Sequence, residues 1–528
     1  MINKATIKTL LGDIPYTAEI AWLLRQTHKP PVGGYDLNNL KEVLPEWISQ
    51  AGAAKRNQSG KRVLIFSMLR YWLEQTTLTS LALASLGHNV TMAYLPHAHW
   101  KKSINRFDLR RQNLYVEYIF KPLEALLNPI SLVDAPQADS LPDEIAVQLD
   151  AAAYRDVQYS LLREEIDRDS DLYHLRMERN HTHALAILSL MQNQRPEVVI
   201  VPNGSILEFG ITYMVARFLN IPVTTYEFGE QSERIWMAQN EDVMRQDTSA
   251  MWQVRGNTPL TDDEWVRVKD FFSARQGGGL WENFSRRWQE TTSAGGEQVR
   301  IDLGLDARPL VLLPANVLGD SLTLGRHIFS KSMTEWLERT INYFIERSDV
   351  QFVIRVHPGE QIGWGPSVYD ILHEKFSQLP EHIHLLPAGA QVNTYDLVNT
   401  ADVGLVFTTT VGMEMAMSGL PVIVTGQTHY RDKGFTLDAK SWDSYFIILD
   451  QVLENPTSYR PARDQVEFAW TYAYRFFFEY PQPFPWHVQH FWQDLEKWSL
   501  KRALSDEGMA YFGDTFEYLI GEEIEYKS

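Results

Sequence analysis

The stretch from Ala401 to Thr425 reads ADVGLVFTTTVGMEMAMSGLPVIVT. Asp402–Phe407 is short and apolar enough for a buried strand. Val411–Met417 reads as a short helix, and Pro421–Thr425 as a second strand after the break at Gly419. A strand, a helix and a strand in so few residues make a βαβ unit, whose two strands lie parallel. The same alternation runs outward. Leu310–Leu313, Gln351–Val356 and His382–Leu386 read as strands, with helices over Ser332–Arg347 and Thr394–Asn399. Upstream, Arg62–Met68, Val90–Leu95, Ser131–Asp134, Glu197–Pro202 and Val223–Tyr226 read as strands, with helices over Leu73–Leu86, 151–194 and Ile206–Leu219. Such alternation predicts an α/β fold of parallel sheets.

A chain of 528 residues, 44% apolar and 22% charged, is too long for one ordinary core and predicts two domains. Residues 255–300 read as a linker with one helix, Asp262–Ala274. The expected division is 1–300, with a helical preamble over residues 1–55, then 301–455, then aromatic-rich helices over 456–528 that pack across the domains. Each Rossmann-like sheet should face a shared cleft. The net charge of -18 argues against nucleic-acid binding, which needs Lys and Arg against phosphates. There is no cysteine, which removes disulfides and thiolate chemistry. No apolar run reaches the roughly 18 residues of a spanning helix, and the start lacks a signal-peptide pattern. The expectation is a cytoplasmic protein.

Open parallel sheets bind ligands outside the carboxyl ends of their strands, so chemistry is sought in the turns that follow them. After Phe407 come Thr408, Thr409 and Thr410, then a helix start whose N–H groups suit a phosphate. Gly412 should admit a ligand close to the backbone. Glu414, four residues after Thr410, could accept both hydroxyls of a ribose. After the strand ending at Val356, His357 could donate to a diphosphate or sugar oxygen. Gly426–Phe435 follows another strand, and its Tyr430, Arg431 and Lys433 could meet a phosphate or carboxylate. In the N-terminal half, Asn203 and Ser205 follow one strand, His97 and His99 another, and Glu227 a third, while Glu208 opens the helix after Ser205. Glu227 and Glu208 are candidate general bases toward an acceptor hydroxyl; Asn203, Ser205 and His97 are acceptor-side candidates. The pairs His181/His183 and His382/His384 lack further ligands, so no metal or cofactor is expected. Lys102, Arg106 and Arg110 would share one helix face, a basic stripe suited to an anionic membrane. The aromatic run Phe468–Tyr480 reads as core packing, or else as a membrane-contacting surface.

His-Pro at 357–358, Thr-Thr-Val-Gly-Met-Glu-Met-Ala at 409–416, Gly-Leu-Pro-Val-Ile-Val at 419–424 and the Tyr430…Lys-Gly-Phe-Thr loop together resemble the capsule polysaccharide biosynthesis proteins. The resemblance covers about residues 310–480. It implies a GT-B glycosyltransferase, Kdo-transferase-like and metal-independent. His357, Thr409, Thr410, Gly412 and Glu414 would then be donor-site residues, with His357 also a catalytic candidate. The implied partners are a CMP- or UDP-linked sugar donor and a lipid-linked or polysaccharide acceptor. Peripheral contact with an anionic membrane, on the inner face of the plasma membrane, would follow. Similar spacing occurs in polyol-phosphate transferases and nucleotide-sugar epimerases, and a non-catalytic polysaccharide-assembly partner could keep the same fold.

Overall fold

The computed structural model describes the chain except residues 1–3, 26–29, 31, 57–58, 286–290, 363–364 and 527–528. Small parts of the expected preamble and linker therefore lie outside the described residues. The chain forms two compact units. The first is Met1–Asp156, Asp167–Met244 and Gln482–Glu525; the second is Val157–Ile166, Arg245–Pro481 and Tyr526–Ser528.

The strands of the first unit are β1 (Arg62–Met68), β2 (Asn89–Leu95), β3 (Asn128–Ser131), β4 (Val198–Pro202), β5 (Val223–Glu227) and β6 (Arg234–Gln239). Those of the second are β7 (Leu310–Pro314), β8 (Gln351–Arg355), β9 (Ile383–Leu386), β10 (Val403–Val406), β11 (Val422–Val424) and β12 (Leu437–Asp438). A last strand, β13 (Gln482–Pro483), returns to the first unit and pairs antiparallel with β6.

The first sheet has the order β13-β6-β5-β4-β1-β2-β3, the second β12-β11-β10-β7-β8-β9. In both, the chain starts in the middle, builds outward on one side, then crosses back and builds on the other. That is the doubly wound order 3-2-1-4-5-6 of Rossmann-like sheets, present twice. The second sheet is parallel throughout. In the first, β1 to β5 are parallel and β6 runs antiparallel to β5.

The strand sequences explain the layering. Every residue of LVLLP in β7, QFVIR in β8 and VGLV in β10 is buried, as expected of parallel strands covered by helices on both faces. The second core joins Val311, Leu313, Phe352 and Leu405 to Trp336 and Phe344 from the helix Met333–Ile345 and to Tyr445 from Trp442–Glu454. Phe344 stacks on Phe352 at 4.1 Å between centroids.

The expected boundary at 300 moves to 244/245. The linker helix, Asp262–Gln276, is started by a Thr261/Glu264 capping box. It lays Phe271 against Phe477 and Phe478, and so belongs to the second unit. The expected 456–528 segment divides at 481/482, because pairing of β13 with β6 returns the chain to the first sheet. Residues 157–166 join the second unit through Glu164, whose carboxylate accepts the free N–H groups of Met333 and Thr334 at a helix start. The third strand lies at Asn128–Ser131 rather than Ser131–Asp134.

Candidate functional site

The doubly wound order fixes a switch point in each sheet, between the two strands from which the chain departs in opposite directions. Ligands of such sheets sit at the carboxyl edge there.

In the second unit the switch point lies between β7 and β10. Asn316, just past β7, accepts the N–H of Thr408 at 3.1 Å and so ties the two strand ends together. Thr428 Oγ1 lies 3.4 Å from the Thr408 carbonyl, and Gln427 N–H donates to the Arg326 carbonyl at 2.6 Å. The loops after β7, β10 and β11 therefore meet. The buried hydroxyls of Thr323 and Thr408 have no hydrogen-bond partner among the described residues. His357 follows β8 on the same edge, with β7 between it and Thr408, hence roughly 10 Å away at two strand spacings. Its Nδ1 accepts the Gly359 N–H at 3.0 Å. In a neutral ring this leaves the proton on Nε2, which is then a donor.

Other expected donor residues are placed differently. Gly412 faces Tyr430: a Cβ there would lie 2.3 Å from Tyr430 Oη. Its smallness makes room for that side chain rather than for a ligand. Tyr430 is wholly buried and donates to the Thr409 carbonyl at 2.6 Å, so it holds the turn instead of reaching outward. Arg431 is likewise buried and donates to the carbonyls of Val424 and Ala439. Lys433 is partly buried, and burial lowers its pKa against the pull of Asp247 and Asp432. Glu414 is 1% exposed and pairs with Arg275 at 2.9 Å. Arg275 also donates to Tyr395 Oη at 3.1 Å. A carboxylate held this way does not face a ribose. The phosphate cradle expected at the helix start is closed by the turn itself, since Gly412 and Met413 donate to the carbonyls of Thr409 and Thr410 at 3.1 Å. Thr410 makes no side-chain cap bond, and Thr409 Oγ1 approaches Val411 N at 3.4 Å.

In the first unit the switch point lies between β1 and β4. Both strands end in rare backbone conformations: Leu69 has φ 66° and ψ 143°, and Asn203, Gly204 and Leu207 have φ of 58°, 81° and 55°. Gly204 is required, because a Cβ would meet Thr225 Cγ2 at 2.5 Å. Non-glycine residues held there cost free energy and cluster at functional sites. The turn aims Asn203 Nδ2 at Glu227 Oε2, 3.0 Å away at the end of β5. Asn203 Oδ1 accepts from Ser205 N and Oγ at 3.1 and 2.6 Å. Glu227 also accepts the Phe228 N–H at 3.0 Å. Burial raises its pKa above the ordinary carboxylate value, against the lowering by Asn203 and Phe228 N–H. Tyr71, at the start of the helix after β1, is 39% exposed, and desolvation of its packed side together with the Glu227 charge pushes its hydroxyl up to about 12. Nothing in the sequence around Tyr71 marked it; the signal was its place one turn past a strand end.

Glu227, Asn203 and Ser205 are thus brought together, whereas Glu208 is not with them. It is fully buried and paired with Arg176 at 2.8 Å, and that guanidinium helps hold its pKa well below the usual range despite desolvation. Such a carboxylate is a poor base. His97 is buried 3.6 Å from it, and desolvation lowers its pKa. Arg176 and Asn180 also hold Asp156, which accepts the Leu207 N–H. This network braces the strained turn from below.

The other expectations divide as well. His382 bonds the Phe344 carbonyl and His384 the Gln351 side chain, at 2.9 and 3.1 Å; His183 bonds Thr212 at 2.8 Å. No cluster of metal-ligating side chains occurs among the described residues. The basic stripe is broken: Arg110 pairs with Glu19 and donates to the Gly12 and Ile14 carbonyls, and Arg106 pairs with Asp134. Of the aromatic run, Tyr472, Phe476, Phe478 and Tyr480 are buried, and His429 stacks on Phe476 at 3.7 Å. These four rings pack inside the second unit, as the core-packing reading expects, while Phe468 at the start of the run is exposed.

No protein-family model matches the chain, and no curated protein matches it. Solved structures do. The beta Kdo 2,4 transferase of Thermosulfurimonas dismutans KpsC is 14% identical over 52% of this chain and 79% of its own, with a TM-score of 0.32. CalG4, the calicheamicin glycosyltransferase, is 12% identical over 86% of this chain and 98% of its own, at 0.25. The UDP-GlcNAc 2-epimerase from Neisseria meningitidis, bound to UDP-GlcNAc, is 11% identical over 79% and 99%, at 0.25. The fold assignment rests on the strand order rather than on these likenesses.

Proposed function

We propose that the chain is a GT-B glycosyltransferase, metal-independent, that moves a sugar from a CMP- or UDP-linked donor to a polysaccharide or lipid-linked acceptor. The observation that carries the reading is the repeated doubly wound order, with a polar cluster at each switch point. The second unit would take the donor nucleotide, with Nε2 of His357, the hydroxyls of Thr408, Thr409 and Thr410, and Lys433 against its phosphates and sugar. The first would take the acceptor, with Asn203 and Ser205 against its hydroxyls. Glu227 is the base: its carboxylate takes the proton of the acceptor hydroxyl as that oxygen bonds the anomeric carbon and the phosphate leaves with the nucleotide. A raised pKa suits a base working near neutral pH, and donors on the departing phosphate stabilise developing charge.

The test is a melting-temperature panel with CMP, CDP, UDP and GDP, followed by product analysis with sugar conjugates of whichever nucleotide raises the melting temperature. A ligand that binds only the folded state must raise it. Sugar joined to an acceptor supports the reading. A donor isomerised with no acceptor present would make the chain an epimerase, and no response to any nucleotide would remove the donor site.

A further inference from the structure

The N-terminal helices Lys4–Asp13 and Thr17–Arg25 carry apolar residues on two sides. The inner side is already committed. Ala18 is fully buried and Trp22 packs edge-on against Tyr115 of the helix Arg106–Phe120. Gly12 sits so close to that helix that a Cβ would lie 2.9 Å from the Phe107 nitrogen. Arg110 rivets the pair in place by bonding the Gly12 and Ile14 carbonyls and the Glu19 carboxylate. The helices therefore cannot roll to hide their other side.

That other side is apolar and open. Ile7, Leu10 and Ile14 recur at three- and four-residue spacing along the first helix and its end, and Ile20, Leu23 and Leu24 along the second. All six are exposed, Leu10 by 60%, Leu23 by 72% and Leu24 by 79%. An apolar patch of this kind on a soluble surface marks an interaction site. Its surroundings select the partner. Residues 100–111, which meet the hairpin at Gly12, hold five basic side chains and one acidic; Arg106, Arg110 and Arg111 are paired with Asp134, Glu19 and Asp108, which leaves Lys101 and Lys102. Lys101 and Lys102 are exposed, and the Arg106 side chain is 57% exposed. Apolar stripes on two short helices, with two exposed lysines on the segment that leads into the helix they pack against, match a helix pair lying in the plane of an anionic bilayer. No described helix is long and apolar enough to cross one.

We infer that this hairpin is a reversible membrane-docking surface, its leucines and isoleucines entering the headgroup boundary and Lys101 and Lys102 meeting anionic headgroups. The inference does not depend on the transferase reading. It is tested by flotation of the whole protein with vesicles of phosphatidylcholine alone and of phosphatidylcholine mixed with phosphatidylglycerol, at low and high salt. Binding to the mixed vesicles is expected, weaker at high salt. Leu10→Ser, Leu23→Ser and Leu24→Ser should each weaken it roughly tenfold, because each removes an inserted side chain. Lys101→Ser with Lys102→Ser should flatten the salt dependence. These side chains face solvent, so an unchanged melting curve confirms that the variants fold. Absence of binding by the wild type, or equal binding by the leucine variants, overturns the inference. So does a dimer that the leucine variants dissociate without any vesicle binding, which would assign the patch to a second copy of the chain.

Discussion

Glu227 is a carboxyl that burial makes reluctant to ionise, held by one side-chain and one backbone donor. A carboxyl whose pKa is higher folded than unfolded keeps its proton longer in the folded state. Over the window from the ordinary value of 4.5 up to the raised one, the folded chain binds more protons, so stability falls as pH rises. Glu227→Gln removes that dependence. Its melting temperature, measured against wild type, should improve as pH rises through the window, while turnover drops by about a hundredfold or more. Wild-type turnover should rise with pH over the same window, since the base must be ionised. A Glu227→Gln variant that turns over normally would remove the base assignment. At Gly412 the expectation is steric. Gly412→Ala puts a methyl against Tyr430 Oη and should cost roughly 1–3 kcal/mol. Tyr430→Phe gives up the bond to the Thr409 carbonyl, about 1 kcal/mol. Because the first change collides with the atom the second removes, the double variant should unfold in denaturant at a higher concentration than additivity allows. Strict additivity would mean that Gly412 serves something other than this packing.

The linker helix Asp262–Gln276 is fixed to the helix Val411–Met417 by one buried ion pair, Arg275 with Glu414, in contact with Tyr395. Glu414→Gln leaves the guanidinium buried without a counter-charge, which should cost on the order of 3 kcal/mol. Replacing both partners, as in Arg275→Met with Glu414→Leu, should recover part of the loss, since a buried pair often gives way to apolar packing at little cost. Chemical denaturation decides: an unfolding midpoint for Glu414→Gln equal to that of wild type would free Glu414 for a ligand role. The pair also explains what could be read in advance. Strands such as Gln351–Arg355 and Val403–Val406 were legible because a parallel strand buried on both faces is a continuous apolar run. The turns after them were legible as candidate sites because the edge is set by chain direction. Glu414 was not, because spacing along one helix cannot reveal an arginine from a helix 139 positions earlier in the chain. Glu208 failed likewise: its partner Arg176 lies on a separate helix. Glu227 could be located but not ranked, since its bond to Asn203 depends on a turn of positive φ that only the fold displays.

Each unit carries a histidine that burial keeps neutral, and this couples the stability of the whole chain to acid. In the first, desolvation takes His183 down to about 4. In the second, desolvation and the nearby Lys433 take His429 down to about 3. His429 bonds Tyr472 through Nδ1 at 3.0 Å, and its buried Nε2 has no hydrogen-bond partner among the described residues, so a second proton would be unsupported there. An unfolded histidine takes its proton near pH 6.5, well before either folded ring does. Below that value the unfolded chain binds more protons, so the stability present above pH 6.5 is lost as pH falls toward 4 and 3. Each ring contributes a slope of about 1.4 kcal/mol per pH unit within its window. Calorimetry across pH 7 to 4 should therefore show unfolding temperatures falling in both units. His183→Gln should flatten the acid slope of the first unit only and His429→Gln that of the second only, each at some cost in stability at neutral pH. Hydrogen exchange followed by mass spectrometry assigns each slope to its unit, through peptides from β1 and β4 or from β7 and β10. If either variant kept the wild-type acid slope in its own unit, that ring would already be charged in the folded protein, and the burial that fixes its neutral form here would have to be relieved at acid pH.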